Sequence, residues 1–210
     1  MEKKVTNIIT KNLEYLPIKM NLKKFNVKII ILISVYFLSI TINAKTINIV
    51  TITQDFSSIA KEIGGDLVNV SSLVKGSQNI SSLKAKPSMA MKLKKADLII
   101  RLGLNQDNWV DNLIHSSKNE LILPNKNGYL DASKMINKIH ENQENINQSE
   151  NHHYLLNPRN GIIVAYQIKE HLIKIDPDNK ELYERNTFIF TEKLSIKIDE
   201  WKSSAKKFKN

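Results

Sequence analysis

Thr46-Ile-Asn-Ile-Val-Thr-Ile-Thr53, followed by Phe56, Ile59, Ala60 and Ile63 and then Gly64-Gly65, is the stretch that decides the fold. Its first eight residues are crowded with β-branched side chains and read as a strand. The four apolar residues after it recur at helical spacing, and the paired glycines stop the helix. The same alternation continues outward. Leu67-Val-Asn-Val-Ser-Ser-Leu-Val74 is a second strand, and Pro87 with Met89, Met91 and Leu93 opens a second helix with proline in its first turn. Asp97-Leu-Ile-Ile-Arg-Leu102 is a third strand, and Trp109, Leu113 and Ile114 mark one face of a third helix. Glu120-Leu-Ile-Leu123, stopped by Pro124, completes the series as a fourth short strand. Strands alternating with helices imply an α/β fold with a parallel sheet of about four strands and right-handed crossovers.

Beyond this point the pattern changes. Residues 126–151 are polar, with Asn and Glu crowded between Glu141 and Glu150, and predict an exposed loop. After Pro158 the helical period returns through Ile162, Ala165, Ile168 and Leu172, and it pauses at Asp176-Pro177. It then resumes through Leu182, Ile189, Phe190, Leu194, Ile198, Trp201, Ala205 and Phe208. A helix of about eight turns fits that second stretch. Its apolar stripe requires a cover. A metal-independent interaction protein that docks through this stripe, onto a partner or a second copy, is therefore one reading of the chain. A decayed reading frame is another.

The chain has 210 residues, 41% of them hydrophobic and 25% charged, as in an ordinary globular protein. The formal charge of +10 is unevenly spread: residues 1–44 hold seven lysines against Glu2 and Glu14, so half of it lies there. The rest is interleaved with Asp and Glu along helix faces, which argues against nucleic-acid binding. There is no cysteine, which excludes disulfides, thiolate ligands and a lipidated cysteine within these residues. Nucleophile elbows, phosphate-cradling loops and His-Glu-x-x-His motifs are absent too, so the chain is not expected to be an enzyme.

Export is written near the start. Lys23, Lys24 and Lys28 precede the apolar run from Ile29 to Ile40, and Thr41-Ile-Asn-Ala44 offers a cleavage site. The run is shorter than the roughly 20 residues of a membrane-spanning helix, which favours a cleaved signal peptide over an uncleaved inner-membrane anchor. Met20 is the more usual start for such a signal. The expected organisation is thus an upstream extension or misplaced start (1–19), a signal peptide (20–44), an α/β lobe (45–157) and a long helix (158–210).

The order of these features resembles the periplasmic zinc- and manganese-binding receptors of metal ABC importers, the zinc-uptake component A-like family. The segments that carry the resemblance are Ile49 to Asp66, Val70 to Gly76, Lys95 to Leu104 with Trp109, Gly128-Tyr-Leu-Asp-Ala-Ser133, Asn151-His-His-Tyr-Leu-Leu-Asn-Pro158, and Asp176-Pro-Asp-Asn with Tyr183 and Asn186. The resemblance implies one lobe of a two-lobed receptor followed by its linking helix, with the second lobe absent. It further implies Zn2+ or Mn2+ as cargo, a membrane permease as partner and a periplasmic location. His153 falls on the second histidine ligand of the family, in a motif usually His-x-Trp-Leu-Asp-Pro. Ser81 falls where the family's Gly-x-Gln-Asp-Pro-His pattern carries its first histidine, here Gly76-Ser-Gln-Asn-Ile-Ser81, and Ala85-Lys-Pro-Ser88 restores the frame. The metal site is therefore expected to be incomplete. His115, His140 and His171 have no partner at ligand spacing and receive no role.

Overall fold

A computed structural model describes residues 46–76, 78–80, 83–140 and 153–208, all within one compact unit. The expected signal peptide and the expected extension before it lie outside the described residues. Among the described residues, no helix is long and apolar enough to cross a membrane.

The strands are β1 (Ile47–Thr51), β2 (Val68–Ser72), β3 (Leu98–Arg101) and β4 (Tyr129–Asp131), all parallel, in the spatial order β2-β1-β3-β4. Helix α1 (Gln54–Gly64) joins β1 to β2, α2 (Pro87–Lys94) joins β2 to β3, and α3 (Trp109–Ser117) lies between β3 and β4. Then come α4 (Ser133–His140), α5 (Pro158–Ile175) and α6 (Lys180–Lys206).

Side chains alternate across each strand, so the sheet separates two cores. On one face Ile47, Ile49, Leu98 and Ile100 meet Phe56, Ile59 and Ile63 of α1, and Val164, Ile168 and Leu172 of α5. On the other face Val50, Ile52 and Ile99 meet Met89 and Leu93 of α2, and Val110, Leu113 and Ile114 of α3. Helix α5 lies past residue 157, where the sequence places the end of the lobe, yet it supplies a full layer of the first core.

The fourth strand is not where the apolar run suggests. Glu120–Ile122 is a single 3-10 turn, and the strand is Tyr129–Asp131, inside the stretch expected to be loop. The reason is local. The Asn119 side chain accepts from the Leu121 amide at 3.1 Å and donates to the carbonyls of Leu93 and Ala96, which winds the chain into a turn there. Leu121 is left 59% exposed. The chain then squeezes through Gly128, where a Cβ would stand 2.4 Å from the Asp97 carbonyl oxygen and 2.6 Å from that of Leu121. Of the expected loop, residues 126–140 thus hold a strand and a helix, and residues 141–152 lie outside the described residues.

The pause at Asp176-Pro177 separates α5 from α6 as expected. Asp176 accepts from the Tyr183 hydroxyl at 2.6 Å and from Asn179 at 2.8 Å, which ties the start of α6 to the turn. The buried stripe of α6 is Tyr183, Thr187, Thr191 and Ile198. Every described residue from Asp199 onward is exposed, Trp201 at 53% and Phe208 at 87%.

Candidate metal centre

In a sheet of order 2-1-3-4 the crossovers diverge from β1 and β3, and the crevice outside their carboxyl ends is the usual ligand position. The connections after β1, β2, β3 and β4 all leave from this edge. Leu73 and Val74 extend the β2 connection alongside β1, their amides donating to the carbonyls of Thr51 and Ile52 at 2.9 and 3.0 Å. Further on, Ile80 touches both cores and so straddles this edge of the sheet.

The connection after β3 is the most constrained. Gly103, Leu104 and Asn105 have φ of 78°, 54° and 60°, three left-handed residues in succession. A Cβ on Gly103 would stand 2.2 Å from Asp131 Oδ1 and 2.4 Å from Ser133 Oγ, so the turn lies against the end of β4. Asp107 holds it closed. This fully buried carboxylate accepts from Arg101 Nε at 3.3 Å, Arg101 Nη2 at 2.9 Å and the Leu102 amide at 2.9 Å. Arg101 also pairs with Asp111 and donates to the Tyr129 hydroxyl at 2.8 Å. Burial disfavours the guanidinium charge, but the hydrogen bonds and charge of Asp107 outweigh it and raise the Arg101 pKa further.

His153 sits on this frame. It is exposed and precedes the 3-10 turn Tyr154–Leu156, whose Leu156 amide donates to the His153 carbonyl at 2.9 Å. The next residue is the anchor. Tyr154 is buried, with its ring 6.5 Å from that of Phe56 and its hydroxyl donating to the Leu102 carbonyl at 2.9 Å. Asn160 of α5 donates to the Tyr154 carbonyl at 2.7 Å. Burial, with Asp131 and Asp107 adding to it, pushes the Tyr154 hydroxyl well above the usual phenol range, so it stays a donor. The backbone at His153 is thereby tied through its neighbour to the carboxyl end of β3. Tyr154→Phe keeps the ring on Phe56 and removes only the hydroxyl. It is expected to cost about 1–2 kcal/mol, read as a lower midpoint in urea denaturation. An unchanged midpoint would remove the anchor from the account.

Among the described residues, no group of three His, Cys, Asp or Glu side chains is placed to hold a metal ion. His152 and Ser81 lie outside the described residues. His115 is exposed in the last turn of α3, and His171 bonds the Asn127 carbonyl, so neither joins His153. The Arg101–Asp107 pair escaped the sequence reading. Its only signal is an arginine inside an apolar strand with aspartate six residues on.

A model of the family described as zinc-uptake complex component A, periplasmic, matches residues 49–210. The chain belongs to that family. A manganese ABC transporter substrate-binding lipoprotein, scaA of Streptococcus gordonii, is 33% identical over 172 residues, covering 80% of this chain and 53% of that protein. The corresponding PsaA of Streptococcus pneumoniae is 35% identical over 162 residues, covering 75% and 51%. This member of the zinc-uptake component A family thus spans about half the length of the relatives it matches. Its fold agrees with that of the metal-dependent lipoprotein YcdH of Bacillus subtilis, with a TM-score of 0.62 at 23% identity over 77% of this chain and 57% of that one. The expectation of a parallel four-stranded lobe followed by a long helix is met.

Proposed function

We propose that this chain is the metal-capturing lobe of an extracytoplasmic receptor that delivers Zn2+ or Mn2+ to the membrane permease of an ABC importer. The reading rests on family membership and on one observation in this chain: His153 is held at the carboxyl edge of β3 by Tyr154. An imidazole there offers one nitrogen lone pair to a divalent ion in the crevice. One imidazole is a fraction of the roughly four ligands that zinc takes, and Ser81, at the position of the family's other histidine in this lobe, is a poor substitute. The relatives are lipoproteins by name. An exported, periplasmic form is read from the basic and apolar segment at residues 23–44. The role is capture and hand-over, with no bond made or broken in the cargo.

Calorimetric titration with zinc and with manganese tests this. Zinc is expected to bind more tightly than manganese, because a nitrogen donor follows the Irving–Williams order. His153→Ala is expected to weaken zinc binding at least about ten-fold, since even the loss of a group that merely supports a ligand costs 10–100-fold. Superimposable titrations of the two proteins would sink the proposal.

A further inference from the structure

A groove of about 380 Å3 lies between the open side of β4, the loop before it, the start of α4 and the flank of α5. Its volume falls within the range of small-ligand sites. Lys126 from the loop, Lys134 from α4 and Lys174 from α5 line it, together with Gln167 and His171 of α5. None of the three lysines forms an ion pair among the described residues. The carboxylate within the lining is Asp131, and its Oδ1 is already engaged by the amide and hydroxyl of Ser133 at 3.1 and 2.7 Å.

The floor also offers a donor. The Ile99 amide donates to the Gly128 carbonyl and the Ala132 amide to the Arg101 carbonyl, so the even-numbered residues of this strand bond to β3. The Asp131 amide therefore faces the open edge. On α5, Gln167 Nε2 donates to the Ala132 carbonyl at 3.0 Å, and His171 Nδ1 lies 2.7 Å from the Asn127 carbonyl. A carbonyl can only accept, so Nδ1 carries its hydrogen and Nε2 is the nitrogen left for a ligand.

We propose that this groove binds a small multivalent oxyanion, a polycarboxylate or phosphate, gripped by Lys126, Lys134 and Lys174, with His171 joining as a second-nitrogen donor when protonated. Burial and the charge of Lys174 hold the empty-state imidazole below its usual range, against the Asn127 bond and the charge of Glu170. A bound anion raises it again. Affinity gained from this proton is complete below the empty-state pKa and is lost as pH rises through the bound-state pKa. Lys126, Lys134, Asp131 and Tyr129 are the other titratable groups that line the groove.

The test titrates the metal-free full chain with citrate and with inorganic phosphate at constant ionic strength, following heat and the His171 ring resonances. At least one anion is expected to bind saturably, to shift His171 and to bind more tightly at pH 6 than at pH 8. Saturation by citrate alone would assign a polycarboxylate, and saturation by phosphate as well would assign oxyanions generally. The K126Q/K134Q/K174Q variant, changed only at exposed positions, is expected to bind about ten-fold more weakly, a few-fold for each exposed charge. Lys202→Gln, at an exposed position of α6 outside the lining, should change nothing. Absence of saturable binding by either anion, or equal binding by the triple variant with unchanged circular dichroism, overturns the proposal.

Discussion

Arg101→Ala is expected to lower the stability of the lobe by about 3–5 kcal/mol, the usual cost of removing one partner from a buried ion pair. Arg101 is 6% exposed and Asp107 is fully buried, so the variant leaves a carboxylate in the interior with the Leu102 amide as its remaining side-chain-to-backbone partner. The pair is not thereby a large net source of stability, because placing both charges inside has its own desolvation cost. Its worth is positional. Asp107 closes a turn in which Leu104 and Asn105 occupy left-handed backbone that side chains disfavour, and the Leu102 carbonyl in that turn is the anchor of Tyr154. A shift of the turn therefore reaches His153. Urea denaturation followed by far-ultraviolet circular dichroism gives the stability, and a loss below about 1 kcal/mol would show that the network is dispensable. Arg101→Lys should fall between, keeping the charge but losing the planar fork that spans both Asp107 oxygens.

This network shows where sequence reading stops. Strands β1 and β3 were legible because each is a run of β-branched or aliphatic residues bounded by turn signals and largely buried on both faces, and β2, with only Val68 fully buried, still carried the apolar signature of Leu67, Val68 and Val70. Strand β4 was not, because it has three residues, and Tyr129 and Asp131 are only half-buried at the sheet edge. Leu121, Ile122 and Leu123 mimic a strand, yet only Ile122 is fully buried. On α6 the periodicity pointed to Ile189, which is 43% exposed, and passed over Thr187. That hydroxyl donates to the Tyr183 carbonyl at 2.7 Å, so the residue can sit in the core with its polar atom already used. Arg101 and Asp107 meet only because three left-handed residues reverse the chain between them, a conformation that no hydropathy period records. His153 is a different case. Composition and spacing alone make it one of two histidines at the end of a polar stretch, and the resemblance of Asn151-His-His-Tyr-Leu-Leu-Asn-Pro158 to the family's His-x-Trp-Leu-Asp-Pro motif singled it out. The structure adds the anchor next to it, Tyr154, whose hydroxyl donates to the Leu102 carbonyl.

Ser81→His is expected to raise zinc affinity at least about ten-fold over the unaltered chain, because on the proposed reading it would restore an imidazole at the first-ligand position implied by the resemblance, and a direct ligand is worth no less than the groups that support ligands. Serine is a neutral oxygen donor that zinc takes poorly compared with imidazole nitrogen. Ser81 itself lies outside the described residues, but its neighbour Ile80 straddles the carboxyl edge on which His153 is held, and α2 begins in frame at Pro87. The gain should be smaller for manganese, which favours oxygen over nitrogen donors. The decisive measurement is a double-mutant cycle with His153→Ala, since two residues that share one ion are strongly non-additive. If both imidazoles grip the same zinc, the gain from Ser81→His largely vanishes in the His153→Ala background. A gain of equal size in both backgrounds, or an equal gain from Ser82→His, would mean that the new imidazole binds zinc on its own. The carboxyl edge would then not be a shared metal centre, and the proposed role of His153 would fail with it.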